Sequence, residues 1–98
     1  MNLNPIAKRK FRRILLQLGF VEDRSRDHVY FRFVHKGRVV ARTKISHGGN
    51  KDIDKRLLRH ILRDQIFLTD SEFRIATEGG MSKEDYIAIL IRKSLITW

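Results

Sequence analysis

The sequence has no cysteine and a single proline. Disulfides and thiolate metal sites are therefore excluded. Long apolar runs are also missing, because the longest uninterrupted one covers residues 86–91, whereas a helix that spans a bilayer needs about 20 residues. The stretch "ILLQLGFV" follows basic residues as in a secretion signal, but Gln17 interrupts it and "ED" follows in place of small residues. We expect a cytoplasmic protein without a membrane segment.

Acidic residues are scarce compared with basic ones, and the imbalance is uneven along the chain. There are 21 Lys and Arg against 11 Asp and Glu, a net charge of +10. Up to Asp64 the counts are 17 against 6, and from Gln65 onward they are 4 against 5. A domain this basic attracts polyanions, since phosphate contacts release condensed counterions. Nucleic acid is the predicted partner and an acidic protein the second choice; the simpler alternative is a solvated surface.

The 98 residues suffice for one small domain, with 42% hydrophobic and 33% charged residues as in folded proteins. Asn4 and Pro5 form a helix start signal, and Gly19 is expected to end that helix. Its apolar stripe comprises Ala7, Phe11, Ile14, Leu15 and Leu18. Arg9, Arg12 and Arg13 lie on the opposite side, either solvated or in contact with phosphate.

Three strands are predicted next, over residues 20–24, 28–34 and 38–45, with a turn at 35–37. Strand side chains alternate between faces, so one face should be core and the other solvated. The predicted core face carries Val29, Phe31, Phe33, Val39, Ala41, Thr43 and Ile45. The predicted solvated face carries His28, Tyr30, Arg32, Arg38, Arg42 and Lys44. It is therefore a basic face with an aromatic ring and an imidazole.

Helices complete the chain. One is predicted over residues 55–64, with Leu57, Leu58, Ile61 and Leu62 inward and Arg56, Arg59 and Arg63 outward. Thr69 and Glu72 form a capping box for a short helix that Gly79 and Gly80 end, and Ser82 caps a last helix. The order α-β-β-β-α with two further helices predicts an α+β fold, with helices packed on an antiparallel sheet.

The four histidines have both functional and structural interpretations. His28 opens a strand on the basic face, where an imidazole suits acid–base chemistry, although a structural histidine is the commoner case. His47 precedes a helix, where backbone N–H groups and Lys51 could hold a phosphate. His35 is interpreted as an exposed turn residue and His60 as a packing residue. A zinc site is not expected, because no helix carries a His-x₃-His pair and cysteine is absent.

Two stretches, "LLQLGFVEDRSRDHVYFRF" and "TKISHGGNKDIDKRLLRHILRD", resemble the HicA (YcfA-like) family of toxin mRNA interferases. The matching positions are Leu15, Gly19, Phe20, Arg24, His28, Ser46, His47, Lys51, Asp52, Ile53, Leu58, Ile61 and Leu62. The resemblance covers roughly residues 5–64. Where the family has Gly-Ser before its histidine, this chain has Arg26 and Asp27 and is one residue shorter. The part after Phe67 exceeds a minimal member of the family.

The resemblance implies a double-stranded-RNA-binding-domain (dsRBD) fold over residues 1–68, with 69–98 as a helical extension packed on the same domain. It also implies cleavage of messenger RNA without a metal or other cofactor, and a cognate antitoxin that covers the basic face. On this hypothesis His28 is the catalytic acid or base. The implied RNA-binding residues are Arg24, Arg26, Tyr30, Arg32, Arg42, Lys44, His47 and Lys51.

Two alternatives remain open at this point. One is a non-catalytic RNA-binding module of the same fold, although duplex-binding members carry a Lys-Lys-x-Ala-Lys cluster and "DKRLLR" has only the basic pair Lys55 and Arg56. The other is a partner-binding or dimerising protein that uses the apolar "YIAILI" and Trp98, which core packing explains equally well.

Overall fold

The computed structural model describes residues 3–25, 27–46 and 51–97. Its helices are α1 (Lys8–Gln17), α2 (Lys55–Ile61), α3 (Asp70–Thr77) and α4 (Lys83–Arg92), and a π-helical segment (Leu62–Ile66) continues α2. Its strands are β1 (Val21–Arg24), β2 (His28–His35) and β3 (Arg38–Ser46), which form one antiparallel sheet in the order β1-β2-β3. The predicted α+β fold is confirmed, and it is consistent with the dsRBD-like order α-β-β-β-α.

The start of α1 differs from the prediction. Asn4 and Pro5 do not begin the helix; it begins at Lys8, and Ala7 in the cap position makes no side-chain cap hydrogen bond. The helix begins late because Ile6 forms a backbone bridge with Ile53. The Ile6 N–H donates to the Ile53 carbonyl at 3.0 Å, and the Ile53 N–H returns a bond to the Ile6 carbonyl at 2.8 Å. This pairing keeps the chain extended up to Ile6 and delays the helix.

Gly19 ends α1 as predicted, and it also brings α4 close. Its φ of +100° lies in the left-handed region, where glycine carries no Cβ penalty. A Cβ at this position would lie 2.8 Å from Cγ and Cδ of Lys83, the first residue of α4. The start of α4 can therefore approach the end of α1 this closely because Gly19 has no side chain.

The predicted alternation holds along β2 and most of β3. Val29, Phe31 and Phe33 are buried, and across from them Ala41, Thr43 and Ile45 are buried too. Val39 was predicted on this core face, but it is 47% exposed. A register shift between Phe33 and Val34 pairs Phe33 with Ala41 and Val34 with Val39. The resulting bulge turns the start of β3 over, and Val40 packs partly against the core instead.

The helices cover the buried face of the sheet. Phe11, Ile14, Leu15 and Leu18 are buried as predicted, and so are Leu58, Ile61 and Leu62. Ala7 of the predicted stripe is exposed, because it lies in the cap position ahead of α1. Leu57 was predicted to face inward but is 48% exposed. Its backbone N–H donates to the side chain of Asp54, which caps α2, so Leu57 lies in the first turn of that helix.

The last two helices belong to the same core. The capping box of Thr69 and Glu72 is confirmed, and Ser82 caps α4 with Asp85 as its reciprocal partner. Tyr86 of α4 lies edge-on against Phe33 of the sheet, with ring centroids 4.9 Å apart. Its hydroxyl donates to the Ile66 carbonyl at 2.8 Å, and burial raises the pKa of this phenol, so it stays neutral.

Candidate functional site

The solvated face of the sheet gathers most of the predicted site residues. Direct cross-strand pairs place side chains on the same face, and the register pairs Tyr30 with Lys44 and Arg32 with Arg42. His28 lies two residues before Tyr30 and pairs with Ser46. We call this surface the open face and define it by His28, Tyr30, Arg32, Arg42, Lys44 and Ser46. It combines an imidazole, a phenol ring and three cations at neighbouring positions.

His28 lies half-buried at the end of this face. Its backbone is fixed by Ser25, whose N–H and hydroxyl both donate to the His28 carbonyl, at 2.9 and 3.0 Å. Its ring is tilted by 48° against that of Tyr30, with centroids 5.9 Å apart. The imidazole is therefore held at the surface by a turn on one side and a ring on the other.

A shallow depression of about 370 Å³ opens beside Tyr30. The residues that line it are Asp23, Tyr30, Phe31, Arg32, Arg42, Thr43, Lys44 and Gln65. Asp23, which pairs with Tyr30 from β1, is the acidic member of this lining, and its carboxylate lies 3.9 Å from the Arg32 guanidinium. Cations outnumber carboxylates here, so the depression suits an anionic group.

The other end of the same face is apolar. Val34 and Val39 pair directly across β2 and β3, and both are more than two-fifths exposed. Val21 of β1 pairs with Arg32 and is exposed as well. Charge and imidazole are therefore concentrated towards the His28 end of the open face.

Arg24 lies apart from this group. It pairs with Val29, whose side chain is buried, so Arg24 projects from the helix side of β1. There it lies 3.0 Å from Glu22, which also accepts a 2.8 Å hydrogen bond from Arg12 of α1. The Arg12 bond and the two guanidinium charges hold the pKa of Glu22 below its ordinary value, against partial burial. Arg24 serves this ion-pair network in the structure.

The remaining predicted RNA-binding residues are Arg26, His47 and Lys51. Arg26 and His47 lie outside the described residues. Lys51 is exposed two residues before Ile53. For Lys51 the structure shows an exposed cation beside the bridge to Ile6.

The other two histidines differ from their interpretations. His35 is not a turn residue but the last residue of β2, half-buried, with Nε2 3.2 Å from the Thr97 carbonyl oxygen; the turn falls on Lys36 and Gly37. His60 does not pack, because its side chain is 52% exposed and its Nδ1 lies 2.9 Å from Asp64. Within residues 3–25, 27–46 and 51–97, no three His, Asp or Glu side chains form a group that could hold a metal ion.

Sequence reasoning missed two side chains at the His28 end. Lys8 Nζ of α1 lies 3.1 Å from Ser46 Oγ and 3.4 Å from the Ser46 carbonyl oxygen. Ser46 was noted only as part of a motif, and Lys8 was not noted at all. The signal that could have found them is weak, since the contact joins residues 38 positions apart and depends on how α1 crosses the sheet.

The chain matches the model of a known protein family. The profile described as "HicA toxin of bacterial toxin-antitoxin" matches residues 9–65, more than half of the chain. The chain belongs to the HicA toxin family. Membership implies a toxin role and a cognate antitoxin partner. Comparison with curated proteins gave no match, and neither did comparison with solved structures.

The HicA match spans α1 except Lys8, the sheet, α2 and most of the π-helical segment, so it includes the whole open face. It stops before α3 and α4, although Tyr86 and Phe73 from these helices are buried in the shared core. None of the helices in the described part of this HicA chain is both long and apolar enough to cross a bilayer.

Proposed function

We propose that this HicA chain is a metal-independent endoribonuclease that cleaves messenger RNA on the open face, with His28 as its acid–base residue. The observation that carries the proposal is that His28 shares one sheet face with Tyr30, Arg32, Arg42 and Lys44. An imidazole for proton transfer thus lies next to cations that can bind a phosphodiester backbone.

The chemistry needs only what RNA and these side chains supply. His28 accepts the proton of a 2′-hydroxyl, and the freed oxygen forms a bond to the adjacent phosphorus. The bond from phosphorus to the 5′ oxygen breaks, and that oxygen takes a proton from water; the hydroxide left behind recovers the proton held by His28. The products are a 2′,3′-cyclic phosphate and a 5′-hydroxyl. No metal is required, since the nucleophile is part of the substrate.

The cations have an electrostatic role in this scheme. Arg32, Arg42 and Lys44 are placed by the strands before substrate arrives, so they can stabilise charge on the phosphate oxygens at little reorganisation cost. Tyr30 is 40% exposed and can stack on an unpaired base, a contact that favours single-stranded RNA. The same cations would attract an acidic surface of the antitoxin, which would then cover the open face and block RNA.

The decisive experiment compares cleavage of a single-stranded messenger transcript by wild type and by His28→Ala. We expect His28→Ala to abolish cleavage while its affinity for the transcript stays within a few-fold, because the cations remain. The matched control is His60→Ala, which removes an exposed histidine on α2, away from the sheet. It should cleave at the wild-type rate. End-group analysis should find 2′,3′-cyclic phosphates.

Several outcomes would contradict the proposal. Cleavage by His28→Ala at the wild-type rate would remove His28 from the mechanism. A wild-type chain that binds the transcript without cutting it would be the non-catalytic RNA-binding module instead. Growth arrest on induced expression gives the same comparison in cells, with arrest expected for wild type and His60→Ala only.

A further inference from the structure

Lys8 is the first residue of α1, yet its ammonium reaches the far end of β3. Nζ lies 3.1 Å from Ser46 Oγ and 3.4 Å from the Ser46 carbonyl oxygen. Ser46 is the last residue of β3, so this contact joins the helix layer to the end of the sheet. The lysine is half-buried, which means that its side chain lies along the protein rather than extending into solvent.

The strand register places this contact beside His28. Ser46 is the direct cross-strand partner of His28. Side chains directly opposite in an antiparallel pair share a face, with Cβ atoms about 4.5–5.5 Å apart. The Ser46 and His28 side chains therefore leave the sheet at neighbouring positions, and the ammonium bonded to Ser46 lies at this end of the open face.

We propose that Lys8 is a further phosphate-binding residue of the cleavage site and that Ser46 positions it; this inference rests on the proposed function. The ammonium is a compact positive charge that hydrogen-bonds to a non-bridging oxygen of the phosphate undergoing cleavage. Its contribution is electrostatic and increases as charge develops in the transition state. Lys8 forms no covalent bond and transfers no proton, so the proton balance with His28 and water is unchanged.

Lys8 differs in position and contacts from two other cations of α1, Lys10 and Arg12. Lys10 follows two residues later, about 200° around a helix of 3.6 residues per turn. It lines a different depression, together with Leu58 and Arg74. Arg12 is engaged by Glu22. Lys10 is therefore a matched control for a loss of charge on the same helix.

The test measures kcat and KM for cleavage of the single-stranded transcript by Lys8→Met, which keeps an apolar stem and removes the charge. We expect kcat to fall about 100-fold, the usual effect of removing one preorganised donor to a developing anion, with a smaller change in KM. Lys8→Arg should recover part of the rate. Lys10→Met should cleave like wild type. Urea unfolding of each variant shows that the fold is intact.

Ser46 is tested by rescue. Ser46→Ala should lower kcat because the ammonium loses the shorter of its two bonds to Ser46 and of the two keeps only the 3.4 Å contact to the carbonyl oxygen, whereas Ser46→Thr, which keeps a hydroxyl, should restore most of the rate. Wild-type kcat in folded Lys8→Met, or an equal loss in Lys10→Met, would overturn the inference while the proposed function stands. A wild-type chain that does not cleave RNA would overturn both.

Discussion

The two faces of the sheet are built from the same three strands, but one carries mainly buried apolar side chains and the other mainly exposed polar ones. On the packed face Phe31 and Phe33 are fully buried under the helices. One residue away on the same strand, Tyr30 and Arg32 are exposed on the open face. The packed face is a close-fitting apolar layer, whereas the open face carries charges with space beside them. Substitutions at neighbouring positions should therefore have different effects: those on the packed face should lower stability, and those on the open face should weaken RNA binding.

This separation explains how a chain of this size can hold polar side chains at fixed spacing. The packed face fixes the strand backbones, and the backbones fix the spacing of His28, Arg42 and Lys44 on the other side. Charged side chains gain little stability from their own surface contacts. The open face can therefore be optimised for a ligand at little cost to folding, provided that the packed face remains intact.

The largest expected effect comes from comparing Phe33→Ala with Arg32→Ala. Phe33 contacts Phe20 and Tyr86 at ring-centroid distances of 5.5 and 4.9 Å. Its removal should lower the free energy of unfolding by about 3–5 kcal/mol, the usual cost of emptying an aromatic core position. Arg32→Ala should change it by no more than about 0.5 kcal/mol, because its contact to Asp23 is an exposed ion pair at 3.9 Å.

Urea unfolding measures the free energy of unfolding of both variants. A binding titration with a single-stranded transcript measures the RNA affinity of the folded proteins. Arg32→Ala should weaken RNA binding while the protein stays folded. If Phe33→Ala and Arg32→Ala lost the same stability, the division between a structural face and a functional face would be wrong.

The sequence predicts features that depend on residues close together in the chain better than features that depend on contacts between distant residues. Alternation along β2 is local, so residues 28–34 by themselves predict which side chains of this strand lie on each face. The bulge that exposes Val39 depends on the pairing of two strands. The resemblance predicts that Arg24 binds RNA together with the residues around His28, whereas the register of β1 places its side chain on the helix side of the sheet.

The contacts that escaped prediction are the long-range ones. The bridge between Ile6 and Ile53 overrides a local helix signal at Asn4 and Pro5. The bond from Lys8 to Ser46 depends on the packing of α1 against the sheet. Local patterns predict which side chains share a face of one element, but they do not predict which elements meet.

A smaller effect is expected on RNA affinity when cations of the open face are removed. Replacing Arg42 and Lys44 together with Gln removes two adjacent cations beside Tyr30. If each neutralises one phosphate of single-stranded RNA, the dependence of log affinity on log salt should become shallower by about 1.4. At 0.1 M salt this corresponds to a loss of about 25-fold, or about 2 kcal/mol. The measurement is titration of the transcript across salt concentrations in the His28→Ala background, where RNA stays intact.

The matched control removes the same charge from another surface. Arg56→Gln with Arg59→Gln, both exposed on α2, lowers the net charge equally. This pair should leave the salt dependence nearly unchanged. An equal change from both pairs would mean that RNA responds to net charge alone and that the open face has no special part in binding.

The smallest expected effect concerns the helices that complete the packed face. Glu72 of α3 accepts hydrogen bonds from Lys93 Nζ at 2.6 Å and from the Thr69 N–H at 2.8 Å, and Lys93 also donates to the Phe67 carbonyl. Burial raises the pKa of Glu72, but the bonds from Lys93 and Thr69 outweigh it and hold the pKa below the ordinary value of 4.5. Its charged form is therefore favoured by folding.

A carboxylate with a lowered folded-state pKa stabilises the protein fully above its unfolded value, and this stabilisation is lost as pH falls through the folded value. At pH 7 wild type should be more stable than Glu72→Gln by about 1 kcal/mol, since Gln keeps an acceptor but not the charge. The difference should shrink as pH falls below 4.5. Urea unfolding between pH 7 and pH 3 measures it. RNA affinity at pH 7 should be the same for both proteins, because Glu72 lies in α3 and not in the sheet. A change in RNA affinity would show that the two faces are not independent.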